Sequence, residues 1–163
     1  MMYACREIDT TFFDTAKRRF KATVEMSATP EKIFTIFEDA HAWTVWAPPI
    51  THVAWTSPRP YGVGTTRTVS MAGGLIGEEK FIAWQPGQRM SFRFTNTNIP
   101  TIAAFGEDYQ LEPRGNGRTA VTWMMAMEGR GLAGDLPLAL FGPVMGASLA
   151  WMLRRFGRYV ESH

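Results

Sequence analysis

The first regular pattern in the chain is an alternation of apolar and polar residues between positions 19 and 27. One face of this segment holds Phe20, Ala22, Val24 and Met26. Such a period of two predicts a half-buried strand. Thr29 and Pro30 follow directly, and this pair is typical of a helix N-terminus. We therefore predict a strand followed by two short helices, the second of which carries Trp43 and Trp46.

After Pro49 the chain consists of short apolar runs separated by residues that favour turns. The predicted strands are residues 50–56, 65–71, 76–84, 89–95, 103–112 and 118–128. Pro86-Gly87 and the segment 114–117 are typical of hairpin turns. Short strands joined by short turns predict an antiparallel meander, with about seven strands once the first is included.

The C-terminal segment returns to helical spacing. Its apolar residues recur every three or four positions: Phe141, Met145, Leu149, Met152, Phe156 and Val160. This spacing predicts a helix from Pro137 to Glu161, roughly 37 Å long at about 1.5 Å per residue. Its first half is apolar nearly all round, so we expect a curved sheet to contact it on several sides.

A membrane span is the alternative interpretation of this tail. Residues 132–153 contain one charge, Asp135, and are about long enough to cross a bilayer. The segment also contains Pro137, Pro143 and three glycines, which favours a buried helix of a soluble protein. We therefore expect no stable membrane insertion.

The composition of the chain excludes several classes of protein. A chain of 163 residues with 45% hydrophobic residues suits one ordered domain. The net charge of +2 and the short basic runs give no sign of nucleic-acid binding. The only cysteine, Cys5, excludes an internal disulfide and is expected near a frayed terminus. The first residues lack the apolar core of a signal peptide, so a cytoplasmic location is expected.

Aromatic and methionine side chains are abundant, with 6 Trp, 11 Phe and 10 Met. They fill cores, and they also line pockets for flat or greasy ligands. In the strand at 89–95, Met90, Phe92 and Phe94 alternate with polar residues and are predicted to point inward.

The Pro86-Gly87 turn sets the expected register of the hairpin around it. A four-residue loop pairs Trp84 with Arg89, Ala83 with Met90, Phe81 with Phe92 and Glu79 with Phe94. Glu79 would then lie on the inner face of the sheet. A slip of one residue would reverse this placement.

The same alternation of inward and outward side chains identifies the candidate site residues on the strands. The candidate polar groups are Arg67, Glu79, Glu107 and Tyr109. The candidate wall of the site is Trp43, Trp46, Trp55, Phe81, Phe92, Phe94, Trp123, Met125, Met145 and Leu149. Alternatives stay open: Arg67 and Glu79 form an ordinary ion pair, or either of them lies on the solvent face. Tyr109 is an ordinary core residue, and Trp43 and Trp46 only fill the gap between the small helices and the sheet. The three histidines are scattered, so we expect no metal, and no cofactor motif is present.

Four segments of the chain resemble a known superfamily. They are SATPEKIFTIFEDAHAWTVWAPPI, GVGTTRTV, EEKFIAWQPGQRMSFRF and EDYQLEPRGNGRTAVTW. Together they make residues 18 to 161 similar to the START-like, or helix-grip, superfamily (SRPBCC), in its polyketide cyclase/dehydrase-like branch. The resemblance implies an α+β fold in residues 18–163, with residues 1–17 as an N-terminal extension. It also implies a cavity between a curved antiparallel sheet and a long C-terminal helix.

The resemblance implies a hydrophobic ligand that is lipid-, sterol- or polyketide-like. Three functions remain open: a non-catalytic carrier, a polyketide cyclase/dehydrase-like enzyme, and a module that binds a protein partner. In an enzyme, Arg67 or Tyr109 would polarise a carbonyl group, and Glu79 or Glu107 would move protons. The oligomeric state stays open, with a homodimer among the options.

Overall fold

The computed structural model describes residues 1–163, which form four α-helices and eight β-strands. The strands are β1 (Tyr3–Ala4), β2 (Arg18–Met26), β3 (Ile50–Trp55), β4 (Thr66–Met71), β5 (Leu75–Gln85), β6 (Arg89–Thr97), β7 (Ile102–Gly115) and β8 (Arg118–Gly129). The helices are α1 (Phe12–Thr15), α2 (Pro30–Phe37), α3 (Ala40–Trp46) and α4 (Gly131–Ser162), with one 3₁₀ turn at Ala72–Gly74.

All eight strands form one antiparallel sheet. Seven of them follow the order β2-β8-β7-β6-β5-β4-β3, and the short β1 pairs with β6 outside this order. The sheet is curved, and α4 lies along it, so the predicted helix-grip architecture is confirmed. The helix start predicted after β2 is also confirmed. Thr29 caps α2 by accepting a hydrogen bond from the Lys32 amide at 3.3 Å, and Pro30 is the first helical residue.

The predicted β5–β6 register holds in one half of the hairpin only. Glu79 pairs with Phe94, and Phe81 pairs with Phe92, as expected. The register then shifts between Phe81 and Ala83, so that Trp84 pairs with Met90 rather than with Arg89. The predicted pairs Ala83–Met90 and Trp84–Arg89 are therefore wrong by one residue. A bulge of this kind inserts one extra residue into one strand, and a count outward from the turn does not reveal it.

The N-terminal segment packs on the outer face of the sheet. A second buried cluster there joins Ile8, Phe12, Phe13 and Ala16 to Ala104 and Ala126 of β7 and β8. Gly106 leaves room for this segment, since a Cβ at this position would lie only 2.9 Å from Ile8 Cδ1. The frayed terminus expected around Cys5 is wrong, because β1 pairs with β6 and the Cys5 amide donates to Thr95 O at 2.9 Å.

The C-terminal half of α4 is the part that the sheet and the small helices grip. One face of it is fully buried: Leu149, Leu153, Phe156 and Val160. The Phe156 ring stacks on Phe37 of α2 at 5.1 Å and lies 4.9 Å from the Trp46 ring of α3. These contacts attach the helix to both small helices at once.

The N-terminal half of α4 differs from the sequence expectation. Its outward side chains are exposed: Leu132 (87%), Leu136 (64%), Leu140 (71%), Phe141 (61%) and Val144 (61%). The sheet covers only one side of the helix, and no other element lies over its outer side. By length and composition α4 is able to cross a membrane, and only 11% of its most apolar 18-residue window is buried.

Helix α4 begins six residues before the predicted start at Pro137, and it contains Pro137 and Pro143. A proline inside a helix leaves the carbonyl group four residues earlier without its donor. Those carbonyl groups belong to Ala133 and Ala139, which are exposed like the two prolines, so water can bond to them.

The same substitution should have a large effect on stability in the C-terminal half of α4 and almost none in the N-terminal half. Leu149→Ala should lower the free energy of unfolding by about 2–5 kcal/mol, because Leu149 is fully buried. Leu140→Ala, its matched control on the same helix, should change it by no more than about 0.5 kcal/mol. Urea unfolding monitored by circular dichroism measures both. Equal losses would show that the sheet grips the whole helix.

Candidate functional site

A cavity of about 440 Å³ lies between the inner face of the sheet and α4. It is lined by 23 residues, of which 18 are hydrophobic. Helix α4 contributes Leu138, Met145, Ser148 and Met152, and α3 contributes Trp43 and Trp46. The floor is formed by alternate residues of the strands, which is why the period of two in the sequence points to them.

Two oppositely charged side chains are buried side by side in the cavity wall. Arg67 of β4 and Glu79 of β5 are directly paired in the sheet, and Arg67 Nε donates to Glu79 Oε2 at 2.5 Å. The side chain of Arg67 has no exposed area, and that of Glu79 is 5% exposed. Burial without a partner is very costly for either charge, so each requires the other.

The rest of the Arg67 guanidinium is enclosed by aromatic rings. Its Cζ lies 4.2 Å from the ring centroid of Trp43, 4.8 Å from that of Phe92, 5.1 Å from that of Phe81 and 5.3 Å from that of Trp55. Cation–π attraction offsets part of the cost of desolvating the guanidinium. Both terminal nitrogens, Nη1 and Nη2, are buried and have no hydrogen-bond partner in the protein.

A second buried carboxyl group lies further along the same wall. Glu107 Oε2 accepts hydrogen bonds from Tyr109 Oη at 2.7 Å and from Trp123 Nε1 at 3.1 Å. The rings of Tyr109 and Trp123 stack at 5.4 Å, which fixes both donors. We call Arg67, Glu79, Glu107 and Tyr109 the polar cluster.

Burial is the main cause of the pKa shifts of the three acidic groups in the polar cluster. It raises the pKa of Glu107 from 4.5 to about 8, and the negative charge of Glu79 adds to this rise. Burial also raises the pKa of Glu79, against the opposing charge of Arg67. The pKa of Tyr109 lies well above its usual value, because the phenol is buried and faces Glu107. Glu79 has the cation as its direct partner, so Glu79 carries the negative charge and Glu107 holds its proton at neutral pH.

This arrangement presents hydrogen-bond donors to an apolar cavity. The Nη groups of Arg67 are donors in a planar fork, and a protonated carboxyl group at Glu107 is a further donor. A carbonyl or carboxylate oxygen matches such donors. No cluster of three or more His, Cys, Asp or Glu side chains is able to hold a metal ion.

The structure brings most of the predicted site residues to the cavity. The four members of the polar cluster line it, as do seven of the predicted wall residues: Trp43, Trp46, Phe92, Phe94, Trp123, Met125 and Met145. Trp55, Phe81 and Leu149 do not line it. The rings of Trp55 and Phe81 contact the Arg67 guanidinium without reaching the cavity. Leu149 packs in the hydrophobic core, on the buried face of α4.

Several lining residues were absent from the sequence prediction. Leu138 and Met152 lie seven positions before and after Met145, and residues at this spacing share one face of a helix. The position of Met145 could therefore have identified both. Phe105 has the strand phase of Glu107, which also could have revealed it. Ile102 could not be found by phase, because the β7 register shifts between Ile102 and Ala104.

The raised pKa of Glu107 predicts a pH-dependent stability. Between pH 4.5 and about 8 the folded protein holds this proton and the unfolded chain does not. The contribution of Glu107 to stability therefore falls as pH rises through this window, by at most about 1.4 kcal/mol per pH unit, and is constant above it. Glu107→Gln remains neutral, so its free energy of unfolding should rise relative to the parent across the window.

Urea unfolding of both proteins at a series of pH values measures this difference. Glu112→Gln, which replaces an exposed carboxylate on the same strand, is the control and should show a constant difference from the parent. A constant difference for Glu107→Gln as well would mean that Glu107 is ionised in the folded protein at neutral pH.

Comparisons with known proteins agree with this geometry. A family model described as polyketide cyclase / dehydrase and lipid transport matches residues 17–161. An uncharacterized protein of Mycobacterium tuberculosis is 42% identical over 163 residues, covering 99% of this chain and 95% of the relative. An uncharacterized protein of Mycobacterium bovis matches with the same identity and coverage.

Solved structures with low sequence identity share the fold. A START superfamily protein from Mycobacterium smegmatis has a TM-score of 0.65 at 15% identity, covering 88% of this chain and 94% of its own. The di-domain ARO/CYC BexL from the BE-7585A biosynthetic pathway has a TM-score of 0.70 at 15% identity, covering 88% of this chain and 46% of its own. The chain therefore belongs to the polyketide cyclase/dehydrase and lipid transport family, and it has the START-like helix-grip fold.

Proposed function

We propose that the protein binds one hydrophobic small molecule with an oxygen-bearing polar end in the cavity under α4. The observation that carries the proposal is the cavity itself, about 440 Å³ in volume with an almost wholly apolar lining and one cluster of buried donors. Its volume falls within the range of about 300–1,000 Å³ that is typical of small-molecule sites.

The polar cluster would hold the polar end of the ligand and so fix its orientation in the cavity. A buried donor without a partner costs about 1–3 kcal/mol, so an acceptor atom beside Arg67 would recover this energy. A neutral Glu107 lines the same cavity and would be a further donor to the polar end of the ligand. The hydrocarbon body of the ligand would then extend along the methionines and phenylalanines of the sheet.

The chemical class of the ligand is supported by the family and by one structural neighbour. The family description includes polyketide cyclase and lipid transport, and the BexL neighbour is a di-domain ARO/CYC protein from a biosynthetic pathway. Lipid-like and polyketide-like molecules both combine an apolar body with carbonyl or carboxylate oxygens. Either class fits the proposed orientation.

Filling the cavity should weaken the binding of an apolar anionic probe, 1-anilinonaphthalene-8-sulfonate. Ser148→Trp places an indole in the cavity and should weaken the affinity for the probe by at least about tenfold. Ala147→Trp, on the exposed side of the same helix turn, is the matched control and should leave the affinity within about twofold of the parent. Fluorescence titration measures all three proteins.

Two results would overturn the proposal. One is a parent protein that does not bind the probe. The other is equal binding by the parent and Ser148→Trp, which would place the probe on the exposed apolar surface of α4 instead.

Catalysis of polyketide cyclisation is the second candidate function. It is favoured by one observation: Glu107, whose pKa burial raises to about 8, shares the cavity wall with the buried guanidinium of Arg67. In an aldol closure, the enol carbon of one keto unit would attack the carbonyl carbon of another. Glu107 would give its proton to that carbonyl oxygen and regain one from the enol oxygen, while Arg67 stabilises the developing negative charge.

Loss of water would follow on the same groups. The new hydroxyl group leaves as water with the proton of Glu107, and the resulting carboxylate takes the proton from the adjacent carbon. Atoms and charges balance without any cofactor. The apolar cavity would fold the chain so that the reacting carbons meet.

If the protein is a cyclase, Glu107→Gln should lower kcat for a poly-β-keto thioester by about 10²–10⁴-fold. Glu79→Gln and Arg67→Ala should also be slower than the parent, whereas Glu112→Gln should not. The parent rate should fall as pH rises through about 8, because the acid form of Glu107 is lost. No turnover by the parent would leave binding without catalysis. Undiminished turnover in Glu79→Gln and Arg67→Ala would exclude the catalytic roles proposed for the polar cluster.

A further inference from the structure

Helix α4 presents a continuous apolar face to solvent. Leu132, Leu136, Leu140 and Val144 recur every four residues, which puts them in one line on the helix surface. Phe141, and Trp151 further along, are also exposed. These side chains form the face that we call the outer stripe. Contiguous apolar surface of this kind marks an interaction site, whereas scattered apolar residues do not.

The outer stripe is free of charge along most of the helix. No exposed side chain between Arg130 and Arg154 is charged, and the one charged residue in this interval, Asp135, is only 18% exposed. At about 1.5 Å per residue, the stretch between Arg130 and Arg154 is roughly 35 Å long. The opposite face of the same turns lines the cavity through Leu138 and Met145, so the sheet cannot cover the stripe.

Cationic side chains lie at both ends of the stripe. Arg130 precedes the helix and is exposed, and its Nη2 also donates to Ala4 O and Ile102 O. Lys17, which directly precedes β2, pairs with Asp135 in the second turn of α4, and this pair adds no net charge. Arg154 and Arg158 are exposed at the far end. The acidic residues near the helix are already engaged, because Asp135 binds Lys17 and Glu161 accepts a hydrogen bond from the Ser27 amide at 2.7 Å.

We propose that the outer stripe docks onto the surface of an anionic lipid bilayer, with α4 lying in the plane of the interface. An interfacial helix combines an apolar face with flanking cations that attract anionic lipids. Trp151 lies at the edge of the stripe, with the Arg155 guanidinium 5.2 Å from its ring, and tryptophan is enriched at the level of lipid headgroups.

The charge pattern favours a bilayer over a second copy of the chain. In an antiparallel pair of stripes, Arg130 of one copy would face Arg154 of the other. In a parallel pair, each cation would face its own equivalent. Both arrangements bring like charges together with no free acidic residue to separate them, whereas an anionic surface complements both ends of the stripe at once.

Docking in this orientation would place the wall of the cavity next to the lipid. The cavity side of α4 is only one helix diameter from the outer stripe, and Leu138, Met145 and Met152 line it. A hydrophobic ligand would then have a short path between the bilayer and the cavity. The docking itself does not depend on which molecule the cavity binds.

Co-sedimentation with vesicles tests the proposal. The full chain should bind vesicles of equimolar phosphatidylcholine and phosphatidylglycerol, and it should bind pure phosphatidylcholine vesicles more weakly. High salt should reduce the binding to the anionic vesicles. Leu140→Gln/Phe141→Gln should lower the partition coefficient by at least about tenfold, because two apolar side chains lose their burial in the lipid.

The matched control is Val63→Gln/Leu75→Gln, which removes two apolar side chains that are exposed away from α4. It should bind the anionic vesicles as the parent does. Failure of the parent to bind them, or binding that Leu140→Gln/Phe141→Gln leaves unchanged, overturns the proposal. A parent that is dimeric by light scattering, and that this variant converts to a monomer, would instead assign the stripe to a second copy.

Discussion

The structure depends on the packing of the last turns of α4 against the curved sheet and the two small helices. Leu149, Leu153 and Phe156 are fully buried there, and Phe156 contacts α2 and α3 together. The other end of the helix is fixed by Gly134, where a Cβ would collide with the carbonyl oxygen of Thr101. Between these two attachments α4 forms a roof over the sheet without filling the space below it, and this leaves the cavity.

The polar cluster makes one part of the cavity wall polar, whereas the rest of the wall is almost wholly apolar. Buried ion pairs are weak contributors to stability, because desolvation offsets their attraction. The proposed role of the pair of Arg67 and Glu79 is therefore to orient a ligand, and the unpartnered nitrogens of Arg67 support this proposal. With Glu107 protonated, the cluster carries no net charge and offers mainly donors. A ligand with an acceptor oxygen at one end is the natural complement.

Strand periodicity made the polar cluster predictable from the sequence. Alternation places Arg67, Glu79 and Glu107 on the inner face, and it holds wherever the ladder has no bulge. The extra residue between Phe81 and Ala83 leaves no local signal, so the register beyond it could not be predicted. The protonation of Glu107 depends on two donors and on burial by distant elements, which no local pattern contains.

Two other features of the fold depend on contacts between distant parts of the chain. Ile8 and Phe13 are buried because Ala104, Gly106 and Ala126 leave room for them on the outer face of the sheet. That fit is not visible in the N-terminal sequence. In α4, an apolar run is equally compatible with a core helix, a membrane span and an interfacial helix. Only the three-dimensional arrangement shows that its first half has one side on the cavity and the other exposed.

Native mass spectrometry tests the central claim, that the cavity under α4 holds a hydrophobic ligand. The purified parent and Ser148→Trp, incubated with a lipid extract of the cells that produced them, would be compared side by side. We expect the parent to carry one bound molecule per chain and the Ser148→Trp variant to have the mass of the bare protein. Identical spectra for the two proteins would contradict it.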